Sequence, residues 1–143
     1  QNQFARDIVK NNCYLTLGTA DGDPWVAPVY YCVDDRYIFY FMSQMDSLHT
    51  QHLLKSPTIA FAIFDSHQKE GTGNGIQGKG KAYLLKEEEI DEALKWYHTT
   101  FIDLTKDALK NSPYHFFKII PETFYILDPD EKHVDKRVEV VLT

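Results

Sequence analysis

Between residues 13 and 43 the chain passes through three segments of strand-forming residues with hardly a break, and this crowding constrains the fold more than any other feature. Segments 13–19, 25–33 and 37–43 are separated only by Ala20-Asp21-Gly22-Asp23-Pro24 and by Asp34-Asp35-Arg36, which are turn-forming sequences. Short turns at those places predict an antiparallel meander. The third segment (Tyr37, Ile38, Phe39, Tyr40, Phe41, Met42) is apolar almost throughout, which suits a strand buried on both sides. A barrel wall backed by a partner has that character.

The flanking sequence adds helices without changing the class. Phe4, Ile8 and Val9 fall near helical spacing and predict a short amphipathic helix ending about Asn11-Asn12. Asp46 or Ser47 is placed to cap a helix through Lys55, with Leu48, Leu53 and Leu54 as its apolar positions and Pro57 closing it. A strand follows at 58–65, a polar glycine-bearing loop at 66–74 and a strand at 75–85, whose Gly78 and Gly80 mark a bulge or the close approach of a ligand. Helices are predicted over 87–101, with Ile90, Ala93, Leu94 and Tyr97 on one face, and around 104–110. The tail returns to strand at 114–120, 123–127 and 134–142, broken by Pro121 and by Asp128-Pro129-Asp130. Six or more strands, mostly hairpin-joined and without a βαβ rhythm, give a mainly β fold: one domain, 1–143, an antiparallel β-barrel with peripheral helices.

Composition excludes several function classes. A formal net charge of −6 leaves no surface for nucleic-acid phosphates. No apolar run approaches the ~20 residues of a membrane span and no leader opens the chain, so a cytoplasmic protein is expected. Cys13 and Cys32 sit in apolar runs, away from metal or redox spacing, and read as reduced core residues. The six histidines, at 49, 52, 67, 98, 115 and 133, carry no metal signature, and no metal site is expected. His49 and His52 share a helix face but lack a third ligand. Glu87, Glu88, Glu89, Asp91 and Glu92 form a solvated helix start, where negative charge is favoured. No arrangement for nucleophilic hydrolysis or nucleotide-triphosphate cleavage is present.

Phe39-Tyr-Phe-Met-Ser-Gln-Met-Asp-Ser-Leu-His-Thr-Gln-His52 is the most informative stretch, a buried strand running into a helix start. Free N–H groups and a partial positive charge there make a phosphate site, to which Ser43, Ser47 and His49 add donors. Local pattern alone favours Ser47 as a plain cap and His49 as a surface residue.

Gly22-Asp-Pro-Trp-Val-Ala-Pro-Val-Tyr30, Tyr40-Phe-Met-Ser43, Ser47-Leu-His49 and Lys55-Ser-Pro-Thr-Ile-Ala60 together, in this order and spacing, resemble the pyridoxamine 5'-phosphate oxidase-like split-barrel family. The resemblance implies a flavin mononucleotide (FMN) held between two subunits of a homodimer. Its phosphate would lie where Met42 and Ser43 meet Ser47, Leu48 and His49, and the backbone of Ala27, Pro28, Val29 and Tyr30 would edge the ring. The family often has Arg then Lys after the serine where this chain has Leu48 then His49, a donor fully charged only below about pH 6.5. Ala27 stands where members resembling the pyridoxamine oxidase itself carry Arg, and Gln77 is the candidate to satisfy the ring's polar edge in its place. Tyr125 would pack near the ring from the second subunit, and Arg137 would reach flavin or substrate. The Arg-x-His pattern of the true oxidase is not evident in His133-Val-Asp-Lys-Arg137, so vitamin B6 oxidation is not expected.

Two function classes follow. One is an FMN-dependent oxidoreductase acting on a small molecule, with a nicotinamide donor, the catalytic side chain unassigned. The other is a non-catalytic module on the same dimeric barrel that binds or stores flavin or haem, a haem drawing on an exposed histidine such as His67. A deazaflavin would suit the same phosphate cap and ring slot.

Overall fold

A computed structural model describes residues 1–99, 105–128 and 136–142. The elements are α1 (Asn2–Asn11), β1 (Tyr14–Asp21), β2 (Asp23–Tyr30), β3 (Cys32–Val33), β4 (Phe39–Gln44), α2 (Leu48–Lys55), β5 (Thr58–Phe64) and β6 (Gly75–Leu84). A single 3-10 turn at Glu87–Glu89 leads into α3 (Ile90–Trp96), followed by α4 (Lys106–Lys110), β7 (Tyr114–Leu127) and β8 (Arg137–Val140). The strands form one antiparallel eight-stranded sheet, ordered β2-β1-β5-β6-β7-β4-β3, with β8 on β7. The mainly β fold expected from the meander is therefore present, with β2 and β3 at the two ends of the sheet.

The sheet curls because each strand has one thoroughly apolar face. Leu15, Leu17, Phe39, Phe41, Ile63, Ile76, Phe117, Ile119 and Ile126 point inward and are at most 1% exposed. Helix α1 adds Ala5, Ile8 and Val9 to this core. A second apolar cluster lies on the outer side of β4 and β7, where Tyr40 and Phe116 meet Ala93 and Tyr97 of the α3 segment. This explains why β4 is apolar on both faces: one lines the barrel and the other carries α3.

Several boundaries differ from the expectation. The segment 25–33 is two strands, because the chain turns at Tyr31, whose buried hydroxyl donates to Val9 O at 2.6 Å. Conversely β7 is continuous through Pro121. The register with β6 shifts between Lys79 and Gly80, and Gly80 pairs with Pro121 while Glu122 is left over, a bulge that accommodates the missing N–H. Gly78 and Gly80 thus mark a bulge and close packing within the protein: a Cβ on Gly78 would meet the Phe61 ring, and one on Gly80 the backbone of Ile120 and Pro121. The long predicted helix is a 3-10 turn plus α3, ending at Trp96. Cys13 is exposed and Cys32 half-buried, both free, so neither is a core residue. Phe101 and Leu104, Pro129 and Asp130, and His133 to Asp135, where the sequence places helix ends, a turn and the start of the last strand, lie outside the described residues.

Candidate functional site

Three of the sequence-predicted residues converge where β4 hands over to α2. Ser43 is the penultimate residue of β4, on its inward face, and 6% exposed. Two residues after Gln44 the chain reaches Ser47, extended at the N-cap of α2. His49, in the first turn, bonds through Nε2 to Ser43 Oγ and stands 3.3 Å from Ser47 Oγ. The helix has no side-chain cap, because Ser47 Oγ lies 2.8 Å from Gln44 O and 2.8 Å from the fully buried Thr50 Oγ1 instead of turning to the helix N–H groups. The capping role expected for Ser47 is therefore replaced by one of orientation. The first-turn N–H groups stay available for an anion, flanked by two hydroxyls and an imidazole.

Burial lowers the His49 pKa, and the charge of His52 lowers it further. With its pKa held below the ordinary imidazole value, His49 is uncharged at neutral pH, a hydrogen-bond partner more than a charge. His52 turns away: it is buried, with Nδ1 2.9 Å from Thr19 Oγ1 on β1. The two histidines expected on one face thus serve different partners.

Helix α2 packs beside β1 and β2. Among the described residues β2 has β1 on one side and no strand on the other, and it passes beside β4 without pairing to it. Proline cannot donate to the ladder, so the positions of Pro24 and Pro28 put their missing N–H groups on the free edge, which offers the carbonyls of residues 24, 26, 28 and 30. Of the sequence-predicted ring-edging residues, Val29 is buried in the core and Ala27 half-buried, and the backbone N–H and C=O groups of both turn to β1 and not to the free edge. Pro28 and Tyr30 face outward, and Tyr30 donates to His98 O at 2.7 Å. Its ring stacks edge-on with Tyr14 and Tyr97, making a fixed wall, and desolvation and the neighbouring Cys32 raise the phenol's pKa. Met42 packs into the same cluster, and Leu48 is exposed at the helix start.

Gln77, Tyr125 and Arg137 form a separate group. Gln77 pairs with Tyr125, and the Arg137 guanidinium lies 4.4 Å from the Tyr125 ring centre. Register places Pro28, Thr16, Ala62, Gln77, Tyr125 and Glu139 in one cross-strand row on the outer face. Gln77 is therefore three strand spacings, roughly 14 Å, from Pro28. The structure does not bring this group to Ser43 and His49 within one chain.

His115 is a neighbour that the sequence reading missed. It pairs directly with Ser43 across β4 and β7, and directly opposed residues share a face about 5 Å apart. Nothing local in the sequence links positions 43 and 115; only the strand register does.

The profile of the pyridoxamine 5'-phosphate oxidase family matches residues 2–128. Among curated proteins none matches. Solved structures share the fold: a haem binding protein from Mycobacterium smegmatis aligns at TM-score 0.75 and 17% identity, over 97% of this chain and 57% of that one. A FAD-binding protein from Mesorhizobium loti aligns at 0.64 and 20%, over 87% and 91%. The haem storage protein HutZ from Vibrio cholerae aligns at 0.67 and 13%, over 85% and 90%. With the split barrel, the uncapped helix and a profile match from the first helix to the end of β7 in agreement, this chain belongs to the pyridoxamine 5'-phosphate oxidase family.

Proposed function

We propose that the chain is an FMN-binding flavoprotein, a flavin-dependent oxidoreductase that acts on a small molecule as a homodimer. The carrying observation is the uncapped start of α2, where Ser43, Ser47 and His49 converge beside the free edge of β2. The residues fit the group. Two hydroxyls, first-turn N–H groups and an imidazole suit a phosphate, and an acceptor-rich strand edge suits the N–H of a flavin ring. Bound flavin would supply the hydride and electron chemistry. The chain's own part is to hold and orient: Ser47, fixed by Gln44 and Thr50, aims His49 at the anion, while the Tyr14, Tyr30 and Tyr97 rings wall the slot.

A dimer reconciles the two groups of predicted residues. Gln77, Tyr125 and Arg137 lie too far from the β2 edge to serve a ring in their own subunit, but on a second copy they can meet it. The flat outer face between them, with Thr16, Gly18, Ala60 and Ala62, lets two sheets approach closely.

The test is the visible spectrum of purified protein before and after addition of FMN and desalting, for wild type and His49→Ala. Retained flavin bands that weaken in the variant support the reading, and bleaching by a nicotinamide cofactor separates enzyme from carrier. Protein that retains no flavin overturns it. The haem binding and storage named for two structural neighbours favours one alternative, a haem module, which an intense Soret band after haem addition would establish.

A further inference from the structure

A cavity of about 290 Å³ lies where β6 ends, β7 begins and α3 and α4 approach. It belongs to the outer face of the sheet: Leu85, Leu109 and Phe116 line it as members of the outer apolar cluster, with Ile90 of α3 packed against them. Ser43 points into the barrel from the opposite face of β4, so this compartment is separate from the start of α2 and independent of the flavin reading. At about 30 Å³ for each water-sized group, the space takes on the order of ten non-hydrogen atoms, too few for a nucleotide and about right for a large apolar amino acid.

Its polar lining carries two charges of opposite sign. Lys110, in the last turn of α4, and Glu87, at the start of the 3-10 turn, both line the cavity and are exposed. Among the described residues neither makes an ion pair or a side-chain hydrogen bond, with the other or with a third group. Tyr114 and His115 add a hydroxyl and an imidazole to the same lining. A carboxylic acid alone would set an anion beside Glu87, and an amine alone a cation beside Lys110; a zwitterion with an apolar body meets both charges.

We infer that the cavity binds an apolar α-amino acid, its side chain against Phe116, Leu109 and Leu85, its carboxylate on Lys110 and its ammonium on Glu87. Burial of the apolar side chain supplies most of the affinity, and the two exposed charges set the class, each contributing roughly a fivefold preference.

The experiment is a calorimetric titration of the full chain with phenylalanine, with hydrocinnamate, which lacks the ammonium, with phenethylamine, which lacks the carboxylate, and with glutamate. Phenylalanine is expected to bind, each truncated analogue roughly fivefold more weakly, and glutamate not at all. Glu87→Gln should weaken phenylalanine to the level of hydrocinnamate and leave hydrocinnamate no weaker, and Lys110→Met should act in the same way toward phenethylamine. Both positions are exposed, and far-ultraviolet circular dichroism checks that the variants fold. Leu109→Trp, which fills the cavity, should abolish binding. Hydrocinnamate or phenethylamine binding as tightly as phenylalanine would overturn the zwitterion assignment. No binding of phenylalanine, or binding that both charge variants leave unchanged, would overturn the site.

Discussion

Substituting Gly78 with alanine tests the packing that shapes the barrel interior. The added Cβ would lie 2.8 Å from Phe61 Cε2, 2.6 Å from Cε1 and closer still to Cζ, against the ~3.5–4.0 Å of an ordinary carbon contact. Phe61 must therefore move by about 1 Å. It has little room, being 4% exposed and held between Phe39 and Phe124, with ring centres 5.5 Å and 5.9 Å away. Overpacking of this kind costs about 1–3 kcal/mol, offset by the ~0.5–1 kcal/mol that alanine gains over glycine in a strand. A net loss of about 1–2 kcal/mol follows, seen as a lower urea midpoint at unchanged slope and a Tm lower by roughly 3–8 °C. Phe61→Leu removes the three offending ring atoms, so the double variant should be at least about 1 kcal/mol more stable than the sum of the single changes implies. If Gly78→Ala is as stable as wild type, or if Phe61→Leu brings no such recovery, the reasoning fails.

Other perturbations probe the turn, an ion pair and the site. Asp34, 4% exposed, accepts from the N–H groups of Arg36 and Ile38 at 2.9 Å each and from Tyr40 Oη at 3.3 Å. Asp34→Ala should cost about 2–4 kcal/mol in chemical unfolding. It should also lower the Tyr40 pKa, which burial and then Asp34 push up to about 12, in an ultraviolet titration. Glu89 is bonded to Lys118, a pair about one-quarter exposed, which lowers the carboxyl's pKa below its ordinary value. Its stabilisation is complete above about pH 4.5 and is lost as pH falls through the lowered value, so Lys118→Met should cost about 1 kcal/mol at pH 7 and flatten that acid limb. The lowered pKa of His49 means that the unfolded chain binds a proton first, so the stability of the flavin-free protein falls as pH drops below about 6.5, and His49→Gln should remove that component. A bound phosphate favours protonated His49 instead. FMN affinity should rise, by at most about tenfold per unit, between pH 8 and 6.5, and a pH-independent dissociation constant would count against His49 as a ligand.

What the sequence revealed depended on how local the cause was. The β1–β2 hairpin was legible because Asp21-Gly22-Asp23 spells its turn, and Gly22 indeed has φ 82°. Pro121 suggested two strands because its effect on the ladder is local, while the bulge that absorbs it depends on Gly80, far away in sequence. The break at Tyr31 was hidden because that residue is itself strand-forming, and its turn is fixed by a bond to helix α1. At the site, the serines and His49 could be found because they fall within one short stretch. His115 could not, since only pairing across β4 and β7 brings it to Ser43.

The free edge of β2 has a consequence for solubility. An unpaired strand carrying the exposed Trp25 and Val26 would ordinarily invite a strand from another molecule and so seed aggregates. Pro24 and Pro28 remove every second donor from that edge, leaving N–H groups only at Val26 and Tyr30 among its outward positions. An incoming strand would find acceptors without enough donors, whereas a small planar ligand needs few. The same two prolines thus guard a nascent chain against uncontrolled sheet extension.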